Sequence, residues 1–410
     1  MQVGNFSLEA DELKLGQLRG NRFVITLRNV TGDDASVIRS VSELQAKGFV
    51  NYFGMQRFGT ATVPTCAIGC HILRSDWAGA VDLILRPREG DSMTGAARKA
   101  YVNRNYKDAR DLLPVRCHIE RTLLQSLCVN DRDFHGALFK LQRNMRLMYV
   151  HSFQSLIWNK MATLRLQRYG TKPVVGDLVY SGSDGSCKKI NKINYGIEII
   201  ILKTGASEEA DEAAAELLAA EEGATNDEVE PATASSSSAS TTAARTDTHR
   251  PLAQVLVLDE SNVDKYSLSD VVLPLPGFAV QYPGIAGFQA EYEAAMALEG
   301  VEPSHLRHSV REFSLVGGYR KLVGTPKDFE WSLLRYNDRQ QQLVLTDWDV
   351  LQGKPPVEST PDGRLRALRV SFTLPPSSYA TMVLRELFKT ETSSAFQANL
   401  SKSINPATTL

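Results

Sequence analysis

The residues from Ala206 to His249 constrain this chain more than any others. The segment has no aromatic residue and is built mainly of Ala, Ser, Thr and Glu, so it cannot bury enough apolar area to offset the entropy of ordering it. It is expected to be a disordered insertion. Its first part, Glu208 to Glu222, can form a transient acidic helix, but no second apolar face there asks for a partner. Every folded unit must then be assembled from sequence on its two sides. The segment also hides the charge of the rest. The whole chain carries 46 Lys and Arg against 47 Asp and Glu, a net charge of -1. Within the segment stand 11 acidic residues and one basic one, Arg245, leaving 36 acids against 45 bases elsewhere, a net of +9. A basic remainder points to a nucleic-acid partner through phosphate attraction and counterion release, with an ordinary solvated surface as the alternative that charge alone leaves open.

A length of 410 residues suggests two to three domains, and 43% hydrophobic residues can fill more than one core. No run of about 18 apolar residues is present, and the first residues, MQVGNFSLEADELKLG, carry neither a basic nor an apolar leader region. Five cysteines, an odd number, fit a reducing compartment better than a disulfide framework. A soluble intracellular protein, nuclear or cytoplasmic and without a membrane partner, is expected. No basic targeting cluster separates those two locations.

Periodicity supplies the elements. Arg22 to Arg28 alternates Phe23, Ile25 and Leu27 with more polar residues, the pattern of a half-buried strand. Thr31 or Asp33 then caps a helix whose face carries Val37, Ile38, Val41 and Leu44 and which stops at Gly48. Phe49 to Phe53 reads as a second strand, completing a βαβ unit. Arg146 to Leu166 spaces Leu147, Val150, Phe153, Ile157, Met161 and Leu164 as a long amphipathic helix anchoring a second core. Near the C-terminal end, Arg366 to Leu374 alternates Leu368, Val370, Phe372 and Leu374, and Ser377 or Ser378 is placed to cap a following helix. The implied class is α+β, with a middle domain interrupting a sheet-based one.

Several chemistries are excluded or weak. Phosphate loops, dinucleotide fingerprints and nucleophile elbows are missing from the sequence. Cys66, Cys70 and His71 place three candidate ligands together, but a structural zinc site needs a fourth in paired spacing, so buried thiols without a metal are expected. The piece SGSDGS at Ser181 to Ser186 is a surface turn. What stands out is Asn51 to Gly59, NYFGMQRFG, which combines two glycines, Tyr52, Phe53 and Phe58, the amides Asn51 and Gln56, and Arg57. Glycines permit close backbone approach, rings stack on bases, and Arg or Gln reaches phosphate or base edges. A strand-to-loop corner whose rings are core is the competing reading.

NYFGMQRFG closely resembles the signature of the TruD family of tRNA pseudouridine synthases. Further stretches carry the resemblance: LKLGQLRGNRFVITLRNVTG from Leu13, NMRLMYVHSFQSLIWNKM from Asn144, LPLPGF from Leu273, YRK from Tyr319 and FTLPPSSYATMVLRE from Phe372. The resemblance implies a pseudouridine synthase catalytic domain, residues 1–56 and 323–410, interrupted by an inserted TRUD domain over residues 57–322 that contains the acidic and Ser-rich segment 206–249. It implies an enzyme that isomerises uridine to pseudouridine in tRNA and possible other RNAs, acting as a monomer.

Such a reaction breaks a glycosidic bond, turns the base and rejoins it through carbon, so it needs no cofactor. It does need a flipped uridine and a carboxylate. In the family that carboxylate is an Asp in a G-[ST]-K-D-R-x-A motif on the N-terminal side of the L-K-L-G segment, and this chain shows no such motif. Its N-terminally incomplete catalytic domain is therefore expected to lack the nucleophile. Asp33 and Asp34 read as helix-start residues. By resemblance, Asn51 is the amide that orients the catalytic Asp, Phe53 the ring beside the target base, and Phe372 a second ring closing the pocket. Tyr52, Gln56, Arg57, Phe58 and Arg385 are candidate RNA contacts. Arg57 either holds a phosphate or pairs with an acid such as Glu386. Lys188, Lys189 and Lys192 form a basic cluster that either follows an RNA backbone or is simply solvated. A shortened, catalytically inactive paralogue that keeps the RNA cleft is the alternative to an enzyme.

Overall fold

Strand β1, Asn21–Arg28, lies at one edge of a three-stranded antiparallel sheet in the order β1-β9-β8, with β8 at Lys327–Tyr336 and β9 at Leu365–Leu374. The computed structural model describes residues 8, 18–59, 63–88, 92–181 and 252–389. Segment 206–249 and Lys188, Lys189 and Lys192 lie outside the described residues. Along β1 the inward Phe23, Ile25 and Leu27 alternate with exposed neighbours as the sequence predicts. Helix α1, Asp34–Lys47, follows. Asp33 caps it, its Oδ1 accepting from the Ser36 N–H at 2.8 Å, and these bonds hold the Asp33 carboxyl below its ordinary range. Gly48 ends the helix at φ +72°, and a Cβ there would collide with the Gly324 carbonyl. Val37, Val41 and Leu44 are buried, but Ile38 faces solvent.

The expected βαβ unit does not form. β2 is only Phe49–Val50, and it pairs antiparallel with β7, Val323–Gly324, in a sheet separate from β1. All eight residues of β1 are matched against β9 on one side, and β2 pairs with β7 in the other sheet and not with the open edge of β1. Beyond Val50 the Asn51 N–H still donates to the Leu322 carbonyl at 3.0 Å, but the Asn51 carbonyl accepts from the Arg320 side chain.

Seven helices follow among the described residues: α2 (Thr65–Leu73), α3 (Trp77–Leu85), α4 (Gly95–Val102), α5 (Tyr106–Leu112), α6 (His118–Val129), α7 (Phe134–Phe139) and α8 (Arg143–Tyr169). Cys66 and Cys70 are buried on α2, and burial pushes the Cys70 thiol up to about 12. Helix α8 has 27 residues and is buried on more than one face, Val150, Phe153, Ile157, Trp158 and Ala162 being fully enclosed. It therefore anchors no separate core: one continuous apolar cluster runs from Val37 on α1 through α8 to Leu387 near the C-terminal end.

The end of α8 is tied by a buried ion pair. Arg165 Nε and Nη2 donate to the two carboxylate oxygens of Asp177 at 2.8 and 2.6 Å, and both side chains are wholly buried. Arg165 also donates to the Gly170 and Lys172 carbonyls, and Asp177 accepts from the Val174 N–H, so almost every polar site on the pair is satisfied. One residue later begins β3, Leu178–Tyr180, in the four-stranded sheet β4-β3-β5-β6 with β4 at Val255–Val257, β5 at Val271–Leu275 and β6 at Gly318–Lys321. Helix α9 (Phe288–Leu298) packs on α8, α10 (Asp347–Leu351) lies between β8 and β9, and α11 (Ala380–Phe388) packs against α1. No described helix is long and apolar enough to cross a membrane.

Candidate active site

A cavity of about 510 Å³ opens where the ends of β2, β6, β7 and β9 meet the flank of α8. Asn51 sits at its centre and is buried. Its Oδ1 accepts from Arg320 Nη2 at 2.9 Å and from Ser378 Oγ at 3.2 Å, while its backbone carbonyl accepts from Arg320 Nε at 2.8 Å. Two donors on one oxygen fix the amide's orientation, so Nδ2 faces the Lys321 carbonyl at 3.3 Å and has a second N–H to give.

Phe53 lies beneath. The Arg320 guanidinium stands 4.0 Å from its ring centroid and also reaches over Trp158 at 5.3 Å. Trp158 and Tyr379 present edges to the same ring, and Asn159 of α8 clamps the backbone by accepting from the Phe53 N–H and donating to its carbonyl. Arg57 is buried on the wall, 5.6 Å from the Phe53 centroid, with its backbone carbonyl bonded by Ser152. The Glu386 expected as its partner is instead joined to Lys389 on the outer side of α11. Lys321, Lys327, His151 and Tyr180 are among the further polar residues of the lining. Among the described residues, this wall carries four Lys or Arg side chains and no carboxylate. It is suited to an anionic or oxygen-rich ligand.

Other predicted residues fall elsewhere. Tyr52 turns its hydroxyl to Thr163 on α8 at 2.9 Å, and Phe58 packs half-buried on the core. Gln56 folds back behind the wall: a Cβ on Gly54 would meet Gln56 Oε1 and the Tyr379 ring within 3 Å. Gly54 thus permits a close approach of Gln56 and Tyr379 to the backbone of this corner. Phe372 is fully buried, stacked on Phe329 at 5.8 Å and against Phe23 at 5.6 Å, so the structure does not bring it to the wall. Arg385 is exposed in the last turn of α11 and is not part of the lining.

Sequence reasoning missed Arg320 and Ser378. Ser378 was expected at a helix cap, but α11 starts from Tyr379, Ser377 takes φ +60°, and this left-handed step swings the Ser378 hydroxyl to Asn51. Arg320 is flanked by Tyr319 and Lys321 on a short strand and carries no local signal. Its role appears only when β6 is set beside β2 in space.

The family model for tRNA pseudouridine synthase D (TruD) matches residues 1–214. The chain belongs to the TruD family. It is similar to the pseudouridylate synthase 7 homolog of Mus musculus, 35% identical over 413 residues that cover 98% of this chain and 51% of that protein. The multisubstrate pseudouridine synthase 7 of Schizosaccharomyces pombe is 35% identical over 405 residues, 97% of this chain and 53% of the relative. The chain thus spans about half the length of the curated TruD relatives it matches. Among solved structures, a crystal structure described as a putative TruD from Methanosarcina mazei has the same fold, with a TM-score of 0.57 at 22% identity, covering 93% of this chain and 71% of that one. The α+β class read from the sequence agrees with this TruD fold.

Proposed function

We propose that this cavity is the uridine-binding site of a TruD-type pseudouridine synthase acting on RNA, tRNA first, and that the nucleophilic carboxylate lies outside the described residues. The fixed amide of Asn51 carries the reading. Its Oδ1 is held by Arg320 and Ser378, so its remaining Nδ2–H is aimed as a donor, which is what orienting a carboxylate requires. Phe53, beneath Arg320, offers its ring to the base, and Arg57, Lys321 and Lys327 suit the flanking phosphates. Phe372 supports the sheet behind this wall. The pairing of β2 with β7 brings residues 49–50 and 323–324 together, which supports a catalytic domain formed by residues 1–56 and 323–410 around an insertion at 57–322.

The purified 410-residue chain is expected to bind a tRNA transcript, and failure to bind would contradict the RNA reading. The phosphate role of Arg57 has its own test: Arg57→Ala weakens tRNA binding and lowers the slope of log affinity against log salt by about one. An unchanged slope would assign Arg57 to packing on Phe53.

A further inference from the structure

The sheet β1-β9-β8 buries one face, where Phe23, Ile25 and Leu27 meet Leu368, Val370 and Phe372 in the main core. Its other face is polar. Register sets Thr26 opposite Arg369 and Arg369 opposite Ser332, so these three side chains stand in one row across the strands. Two rows along, Arg22, Thr373 and Lys327 form another. Lys327 also lines the cavity, so this face runs on from the cavity wall. Arg369 lies four residues from Thr373 on β9, a displacement of about 13 Å. Thr26 Oγ1 and Ser332 Oγ are buried and bond to nothing among the described residues. Such hydroxyls are uncommon, because leaving a buried donor unpaired is destabilising. Between them, Arg369 makes no hydrogen bond or ion pair among the described residues. Arg22 turns Nε and Nη2 to Ser371 Oγ at 3.3 and 3.2 Å and joins no carboxylate among them either. Glu330, opposite Ser371, brings a carboxylate to this face, yet it is exposed and pairs with neither arginine.

A guanidinium set between two hydroxyls offers several donors to one oxygen-rich anion, and a phosphate supplies acceptors in the matching number. We infer that Arg369, Thr26 and Ser332 form a phosphate site on the open face of this sheet, which holds the RNA backbone further along the strand that enters the cavity. This rests on the reading of the cavity as an RNA site. The new site touches no base. It therefore adds affinity for every sequence and positions the strand without contributing a sequence preference. Glu330, one row away, opposes it by repelling the same phosphate.

The test uses RNA oligonucleotides with one uridine, each carrying a single uncharged methylphosphonate linkage at a different position, their affinities measured for the full chain and two variants. At one linkage beyond the uridine, neutralisation weakens binding to the unaltered chain by about tenfold. That loss disappears in Arg369→Ala, and the slope of log affinity against log salt falls by about 0.7. Each linkage effect is a ratio of affinities within one variant, so a general loss of folded protein cancels. Thr26→Val, close in shape, gives a second readout. Without the unpaired hydroxyl the free chain unfolds at a higher denaturant concentration, while its RNA affinity falls. A hydroxyl that serves no ligand gives the first change without the second. Linkage effects that all persist in Arg369→Ala, or an RNA affinity undiminished in Thr26→Val, overturn this inference and leave the RNA reading standing. An unaltered chain that binds none of the oligonucleotides overturns the RNA reading and the phosphate site together.

Discussion

Replacing Asp177 with Asn is expected to lower the stability of the chain by about 3–5 kcal/mol, read as a shift in the midpoint of denaturant unfolding. The size follows from what is left behind. Arg165 is wholly buried, and its two bonds to Asp177 are the anionic part of a network whose other acceptors are backbone carbonyls. With a neutral amide in that place, a guanidinium stays out of water with no counter-charge. Glu386→Gln is the contrast, since its pair with Lys389 is solvated and contributes less than about 1 kcal/mol. The loss at Asp177 also reaches the site, because β3 starts at the next residue and Tyr180 at its end lines the cavity. Equal effects from the two substitutions would show that the buried pair does not hold this end of α8.

Arg320→Lys is expected to weaken tRNA binding by roughly 10- to 100-fold, the range for charged hydrogen bonds of about 1.5–3 kcal/mol. Charge is kept, but the fork is not. An ammonium cannot reach both the carbonyl and the side-chain oxygen of Asn51 while lying flat on Phe53, as the guanidinium does. Asn51 then loses the contact that fixes its amide, and Phe53 loses its cover. Because Nε and Nη2 of Arg320 are engaged with Asn51, it acts as a positioning residue, and the salt slope of binding is expected to stay the same. An Arg320→Lys variant with unaltered affinity would mean that the orientation of Asn51 does not matter for RNA binding.

Local pattern was legible where one strand or one helix face decides the outcome. β1, α1 with its Asp33 cap, α8 and β9 were all readable from period and capping, and so was the buried state of Cys66 and Cys70. The resemblance singled out the NYFGMQRFG corner, and its Asn51, Phe53 and Arg57 line the cavity. Composition alone did not distinguish Phe53 from Tyr52 or Phe58, since all three rings suit either a core or a base.

What the sequence could not show depends on pairing across long separations. β1, α1 and β2 were read as a βαβ unit, but β1 pairs with β9, more than 300 residues away, and β2 with β7 in a separate sheet. Phe372 alternates inward on β9 toward Phe23 and Phe329, and no local rule says whether an inward ring meets a core or a pocket. Arg320 and Ser378 reach Asn51 over 269 and 327 residues, and Ser378 does so because Ser377 adopts a left-handed turn that no helix-cap rule foresees. Both were inside stretches quoted for the resemblance, yet neither had a spacing or period that marked it.

If the cavity between Asn51, Phe53 and Arg320 receives a uridine, photocrosslinking of the purified chain to an RNA carrying a single 4-thiouridine, with the adduct mapped by peptide mass, locates it there. Adducts are expected within residues 49–57, 143–169 or 318–327, reduced in Arg320→Lys. Adducts confined to peptides away from this cavity, with the same yield in the variant, would contradict it.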